Sequence, residues 1–317
     1  MEHYLFTHNV KLALVALYAF VFFLMGLVGF FQFILKKDAE NIWIRVKSFL
    51  VIVIFFHLAF CFNKIFAFLV MCLISYLCLK EFLSLIPIRK TDRQVLLWAY
   101  WSIPISYYII YIGWVTLFYL FIPLYMFILL SIRMVMSSNT EGFLKNLAVM
   151  QYGLMTTVYA VGYLGMIAII PNEYNPNGGC IGLLFYILVL TVANDFMQMF
   201  SGKAFGKHKI IPKVSPNKTW EGLIGGVIGA TILSVVMAHF VTPLSVGQSI
   251  FLGIVLSIFG FFGDVSMSAI KRDLGVKDTS SLIPGHGGIL DRLDSLLFTA
   301  PLFFHYFAYF NHINFMR

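Results

Sequence analysis

Residues 268–294 read SAIKRDLGVKDTSSLIPGHGGILDRLD, the densest set of chemically capable side chains in the chain. Asp273, Asp278, Asp291 and Asp294 stand among Lys271, Arg272, Lys277 and Arg292, and glycines flank His286. Glycines such as Gly287 and Gly288 let backbone N–H groups approach a ligand closely, and the basic side chains suit phosphate oxygens. Asp291 and Asp294 are three residues apart, so on a helix they share a face and can hold a divalent cation. This chemistry suits a metal-bound polyphosphate.

A second polar stretch, residues 201–222, reads SGKAFGKHKIIPKVSPNKTWEG. It carries Lys203, Lys207, Lys209, Lys213 and Lys218, and its run from Ser215 through Lys218 and Thr219 opens onto an apolar helix. A helix N-terminus beside lysine and threonine is a ready phosphate site. A basic loop lying against anionic lipid heads accounts for the same charge. Asp195 and Asp264 each lie in an apolar run, a few residues before one of these two stretches. A carboxylate in the bilayer costs about 2.5–3.5 kcal/mol at the centre and less near the interface. Each is read as a metal ligand or proton carrier, the alternative being a structural carboxylate bonded to a neighbouring helix. His57, His239 and His305, alone on apolar segments, are expected to be structural.

The frame that must position these residues is a membrane. The 317 residues are 60% hydrophobic and 11% charged, with a mean hydropathy of +0.89. Soluble domains are about a quarter charged, so the fold class is all-α, a polytopic integral membrane protein of about ten transmembrane helices. The spans fall near 12–35, 48–62, 65–79, 95–112, 114–132, 147–170, 180–200, 222–242, 249–270 and 293–310. The first is too long for a signal-peptide core and is expected to be retained. The 48–79 region reads as a hairpin with Lys64 at its tip, in preference to one tilted helix. Gly113 is the only punctuation between 95 and 132. Alternating compartments then hold 19 and 3 of the 22 Lys and Arg residues, which places the basic loops in the cytoplasm. That explains the net charge of +8 without a nucleic-acid partner. The loops at 36–47 and 80–93 read as orientation signals, with Glu81 or Arg89 able to reach a headgroup. The four cysteines lie within or beside apolar runs without metal-ligand spacing and read as small buried hydrophobes. The chain divides into N-terminal membrane helices, 1–146, and a C-terminal catalytic region, 147–317, with cytoplasmic loops 201–221 and 271–292.

The C-terminal stretch resembles the phosphatidate cytidylyltransferase (CDP-diglyceride synthase) family. Ser268, Lys271-Arg272, Lys277-Asp278, Pro284, His286-Gly287-Gly288 and Asp291-Arg292-Leu293-Asp294 follow that family's pattern. Upstream, Gly263-Asp264 and Ser215-Pro216 with Lys218-Thr219-Trp220-Glu221-Gly222 extend it, and Asp195 with Gly206-Lys207 does so less clearly. Asn217, Met267 and the run Phe196-Met197-Gln198-Met199 depart from it, where the family has a basic residue, a carboxylate, and small polar residues with a tyrosine.

The resemblance implies a Mg2+-dependent enzyme of the bacterial inner membrane or its equivalent, transferring the cytidylyl group of CTP to phosphatidate, and a homodimer. Asp195, Asp264, Asp291 and Asp294 would then hold metal. Asp264, Asp291, His286, Lys271 and Arg272 would be catalytic. Ser215, Lys218, Thr219, Lys207, Gly287, Gly288 and Arg292 would bind substrate. A CTP-dependent lipid-alcohol kinase is the second enzyme reading. An inactive scaffold or transporter of the same fold is the third, although the external halves of the spans carry almost no charge for transport.

Overall fold

The computed structural model describes residues 6–30, 40–61, 63–86, 93–136, 140–283 and 287–313. Helices make up the fold, and the described residues contain no strand beyond two isolated bridges. In chain order they are α1 (His8–Gly29), α2 (Glu40–Cys61), α3 (Lys64–Ser84), α4 (Arg93–Tyr111), α5 (Val115–Val135) and α6 (Phe143–Ala168). The second half adds α7 (Gly179–Phe205), α8 (Trp220–Val241), α9 (Val246–Asp273), the single turn α10 (Leu290–Leu293) and α11 (Leu296–Phe310). Seven of them, α1, α3 and α5 to α9, are long and apolar enough to cross a membrane, and α11 is a shorter apolar helix.

Local chemistry sets the breaks. The 48–79 region is two helices, because the Asn63 side chain accepts from the Phe66 N–H at 2.8 Å and starts α3 afresh. Lys64 then lies over the Tyr111 ring, 5.5 Å from its centroid. Gly113, at φ +76°, separates α4 from α5 in a left-handed turn that other residues adopt with difficulty. Pro123 sits in a π-helical stretch of α5, Phe121–Met126, where the Gln151 amide donates to the neighbouring Ile122 carbonyl at 3.0 Å. Ser245 and Gln248 close a reciprocal cap at the start of α9.

Packing follows membrane rules. On α8 the buried face is Gly222, Gly226, Ala230, Ser234 and Ala238, while Ile224, Ile228, Ile232, Val236 and Phe240 point outward. Lipid is as apolar as leucine, so small residues face the protein and large ones the acyl chains. A Cβ at Gly226 would run into the Gln198 side chain of α7, so the two backbones meet closely along this seam. Ser234, buried between helices, bonds both the Tyr186 hydroxyl and the Ser249 carbonyl at 2.6 Å. The remaining core packs α3, α4, α5, α6 and α11 around large aromatics such as Phe118, Tyr163 and Phe304. His305 bonds the Tyr163 hydroxyl and His57 the Tyr18 hydroxyl, each at 2.9 Å, so both histidines are satisfied in place.

Candidate functional site

Four segments meet on one side of the bundle: the C-terminal part of α7, the loop leading into α8, the C-terminal half of α9, and the α10–α11 corner. A hairpin-like excursion shapes the loop. The Ile210 N–H donates to the Lys218 carbonyl at 3.1 Å and the Trp220 N–H to the His208 carbonyl at 2.9 Å, folding residues 211–218 into a turn. The Thr219 hydroxyl then caps α8 by accepting from the Gly222 N–H at 3.1 Å. Glu221 accepts from the Lys207 and His208 N–H groups and closes the base of the turn.

Lys218 is thereby delivered inward. Its ammonium pairs with Asp264 at 2.6 Å and donates to the Gln198 side-chain oxygen at 3.2 Å. Asp195 and Asp294 also act on it electrostatically. Burial works to lower the Lys218 pKa, but these carboxylates outweigh it and hold the ammonium above its ordinary value. Ser295 donates to both Asp195 oxygens at 3.1 Å, and its own N–H donates to Asp294 at 2.8 Å. Ser268 donates to Asp264 at 3.3 Å. The meeting depends on Gly263. A Cβ there would lie 2.5 Å from the Asp294 carbonyl oxygen, so only glycine lets the α10–α11 corner rest on α9 beside Asp264.

Three carboxylates in one another's field face a single directly paired ammonium. Among the described residues no three His, Cys, Asp or Glu side chains are already gathered as a metal-ligating group. The donors are nevertheless hard oxygens with an excess of negative charge, which suits a hard divalent cation. Beside them the buried Gln198 amide nitrogen has no hydrogen-bond partner among the described residues, a donor suited to an anionic oxygen.

Asp291 belongs to a second set of bonds. One of its oxygens takes the Lys271 ammonium at 2.7 Å. The other accepts from the Thr279 N–H and hydroxyl at 2.8 and 2.9 Å and from the Gly288 N–H at 3.0 Å. Burial pushes its pKa up, yet the Lys271 ammonium and the two N–H donors prevail and hold it below the ordinary value. Gly287, at φ +80°, turns the chain so that this wrapping is possible. Arg272 reaches back across the site, donating to the Val214 carbonyl at 3.4 Å and the Val276 carbonyl at 3.3 Å, and so ties the two polar stretches together.

The structure thus brings Asp195, Lys218, Asp264 and Asp294 together, with the exposed Arg292 acting on Asp195 electrostatically. Asp291 and Lys271 form a neighbouring pair. The Thr219 hydroxyl is already spent as a cap, the Lys207 side chain is exposed, and Ser215 lies half-buried in the turn. His286 lies outside the described residues. Met267 is buried and Asn217 exposed.

The profile of the "Cytidylyltransferase family" matches residues 43–310, which includes every residue of both sets. The chain belongs to that family. Among similar proteins, the uncharacterized YnbB of Escherichia coli K12 is 40% identical over 274 residues, 86% of this chain and 90% of its own. A Haemophilus influenzae protein named phosphatidate cytidylyltransferase is 50% identical over 133 residues, 40% of this chain and 46% of that one. A Staphylococcus haemolyticus protein of the same name is 40% identical over 178 residues, 56% of this chain and 64% of that one. The chain therefore spans about half to two thirds of the relatives that carry this name.

Gln198 and Ser295 are not among the candidates the sequence offers, and Glu81, read there as able to reach a headgroup, instead bonds a loop of the site. Gln198 sits where the family pattern is departed from, next to Asp195. Ser295 follows Asp294 directly, at the start of an apolar run. Glu81 was assigned with the basic loop after it. Its one signal is periodic: it falls on the buried face of α3 with Cys78 and Phe82, while Lys80 points out.

Proposed function

We propose that this chain transfers the cytidylyl group of CTP to phosphatidate, releasing pyrophosphate and forming CDP-diacylglycerol. The observation that supports this best is Lys218, held against Asp264 and within the field of Asp195 and Asp294, inside the region matched by the family. A phosphate oxygen of phosphatidate attacks the α-phosphorus of CTP, and the bond to the β-phosphate breaks as pyrophosphate leaves. Both reactants are anions, so the site must gather fixed positive charge more than it must activate a nucleophile. The lipid phosphate is largely ionised at neutral pH and needs no strong base.

Lys218, with Arg292 at the rim, neutralises phosphate oxygens, and the free Gln198 amide N–H offers a further donor. Asp195, Asp264 and Asp294 would hold Mg2+, which would supply charge neutralisation of the polyphosphate. Lys271 and Asp291 keep the loop at 279–290 in shape beside it, and His286 with Gly287 and Gly288 would position or protonate the leaving pyrophosphate. The chain crosses the bilayer ten times, with α2, α4 and α11 added to the seven helices that are both long and apolar enough to span it. The distribution of 19 basic residues against 3 then turns the site to the cytoplasm, where CTP is available.

The test is purified protein in detergent with Mg2+, radiolabelled CTP and phosphatidate. Label entering the lipid phase with an equal release of pyrophosphate is the expected result. CDP release with phosphorylation of a lipid alcohol would overturn it, as would CTP binding without transfer to phosphatidate.

A further inference from the structure

Glu81 is a buried carboxylate on α3, some two hundred residues from the loop it touches. One of its oxygens accepts from the Ser280 hydroxyl at 2.8 Å and the Ile289 N–H at 3.0 Å. The other accepts from the Leu290 N–H at 2.9 Å and the Thr279 hydroxyl at 3.1 Å. A carboxylate offers about four lone-pair positions; a single loop fills three of those on Glu81, and the Thr279 hydroxyl shares its one proton between the fourth and Asp291. The Thr279 hydroxyl stands between Glu81 and Asp291, within reach of both. Gly288 fills the remaining space, since a Cβ there would overlap the Thr279 hydroxyl and the Glu81 carboxylate.

The loop is thus gripped from two sides. Asp291 holds it from within and passes the constraint to Lys271, while Glu81 holds it from an N-terminal helix that carries no other residue of the site. Ser280 precedes and Ile289 follows the Gly287–Gly288 turn, so the grip holds the loop on both sides of it.

We propose that Glu81 is a positioning residue for the transfer reaction: it clamps Thr279, Ser280, Ile289 and Leu290 to α3 and so sets where Gly287, Gly288 and the Asp291–Lys271 pair stand against the substrate. This rests on the cytidylyltransferase reading, but the clamp itself is measurable without turnover. Two backbone N–H groups and the Ser280 hydroxyl lose this acceptor in Glu81→Ala, while the Thr279 hydroxyl keeps Asp291. In Glu81→Gln one oxygen becomes an NH2, which faces an N–H donor it cannot accept from.

The experiment compares wild type, Glu81→Gln, Glu81→Ala, Gly288→Ala and the Glu81→Ala/Gly288→Ala double variant. Two readouts are taken: hydrogen exchange of loop amides in apo protein, and kcat and KM for CTP and phosphatidate. Faster exchange confined to peptides covering 279–290 is expected, with the α7–α8 seam unchanged. A fall in kcat of about 10–100-fold should accompany it, the scale of losing a well-oriented geometry, with KM changing far less. Gly288→Ala should cost activity in wild type and add less in Glu81→Ala, where the clash with the carboxylate is gone and that with the Thr279 hydroxyl stays. Unchanged loop exchange in Glu81→Ala overturns the clamp, and so does a uniform rise in exchange across all helices. Local loosening with full kcat overturns the positioning role. If wild type itself transfers no cytidylyl group while Glu81→Gln loosens only the loop, the cytidylyltransferase reading fails and the clamp stands.

Discussion

Removing Lys218 tests the charge arrangement on which the site depends. In Lys218→Met the Asp264 carboxylate loses the ammonium at 2.6 Å, and Asp195 and Asp294 lose a positive charge that acts on both. Deleting one partner of a fully buried pair costs about 3–5 kcal/mol. Here the Lys218 and Asp264 side chains keep 19% and 23% exposure, so solvent screening reduces the expectation to about 2–3 kcal/mol. At about 2–4 °C per kcal/mol, the unfolding midpoint in detergent should fall by about 5–10 °C. Lys218→Met/Asp264→Asn removes both charges and should recover about 1–2 kcal/mol of that loss as a coupling energy. Mg2+ should stabilise Lys218→Met more than wild type, because the three carboxylates then lack their internal cation. Label transfer from CTP should drop about 10²–10³-fold, the usual cost of removing one fixed charge from a preorganised site. The exposed Lys213→Met is the control. Equal midpoints for the two lysine variants would refute the cluster, and a destabilised Lys218→Met with full turnover would refute its contact with phosphate.

Gly263→Val should press on the Asp294 carbonyl, separate α9 from the α10–α11 corner and cut turnover about 10²-fold, measured by label transfer on folded protein. Asp264→Ala and Asp291→Ala should still express and bind detergent as monodisperse protein while losing turnover; normal activity in both would sink the site assignment. The folded pKa of Asp291 lies below its unfolded value of about 3.9, so its stabilisation is present above that value and lost as pH falls through the folded one. Loop 279–290 should therefore keep its hydrogen-exchange protection at pH 5 and lose it only below about 4, whereas Asp291→Asn should lack the protection at pH 7. In a background freed of native cysteines, Lys209→Cys and Glu173→Cys should react with an impermeant maleimide from opposite sides of the membrane.

What the sequence reveals and what it hides divide along a physical line. Features made by neighbours in the chain are legible: Asn63 starts a helix, Gly113 turns one, and aspartates at the ends of apolar runs announce a polar site nearby. Features made by distant segments are not. Spacing shows that Asp195, Asp264 and Asp294 each need a partner, but the convergence on Lys218 is set by how closely Gly263 and Gly226 let three helices approach. Residue type is also ambiguous where one side chain can do two jobs. A threonine before a helix suits a phosphate and an aspartate suits a cation, yet Thr219 spends its hydroxyl on its own helix and Asp291 its oxygens on Lys271 and its own loop. In α8, burial cannot be read from hydrophobicity at all, since the lipid-facing isoleucines are more apolar than the buried glycines and alanines; size marks the inner face instead. Glu81 combines these difficulties. A carboxylate on the buried face of an apolar helix must find donors, because leaving it unpaired costs several kcal/mol, and that necessity is visible in one segment. The identity of the donors lies in another segment, whose own backbone was free to fold around the carboxylate. The joining of this loop to the N-terminal helix is therefore a property of the tertiary fold, and the proposed clamp is the route by which a substitution on α3 would reach the chemistry.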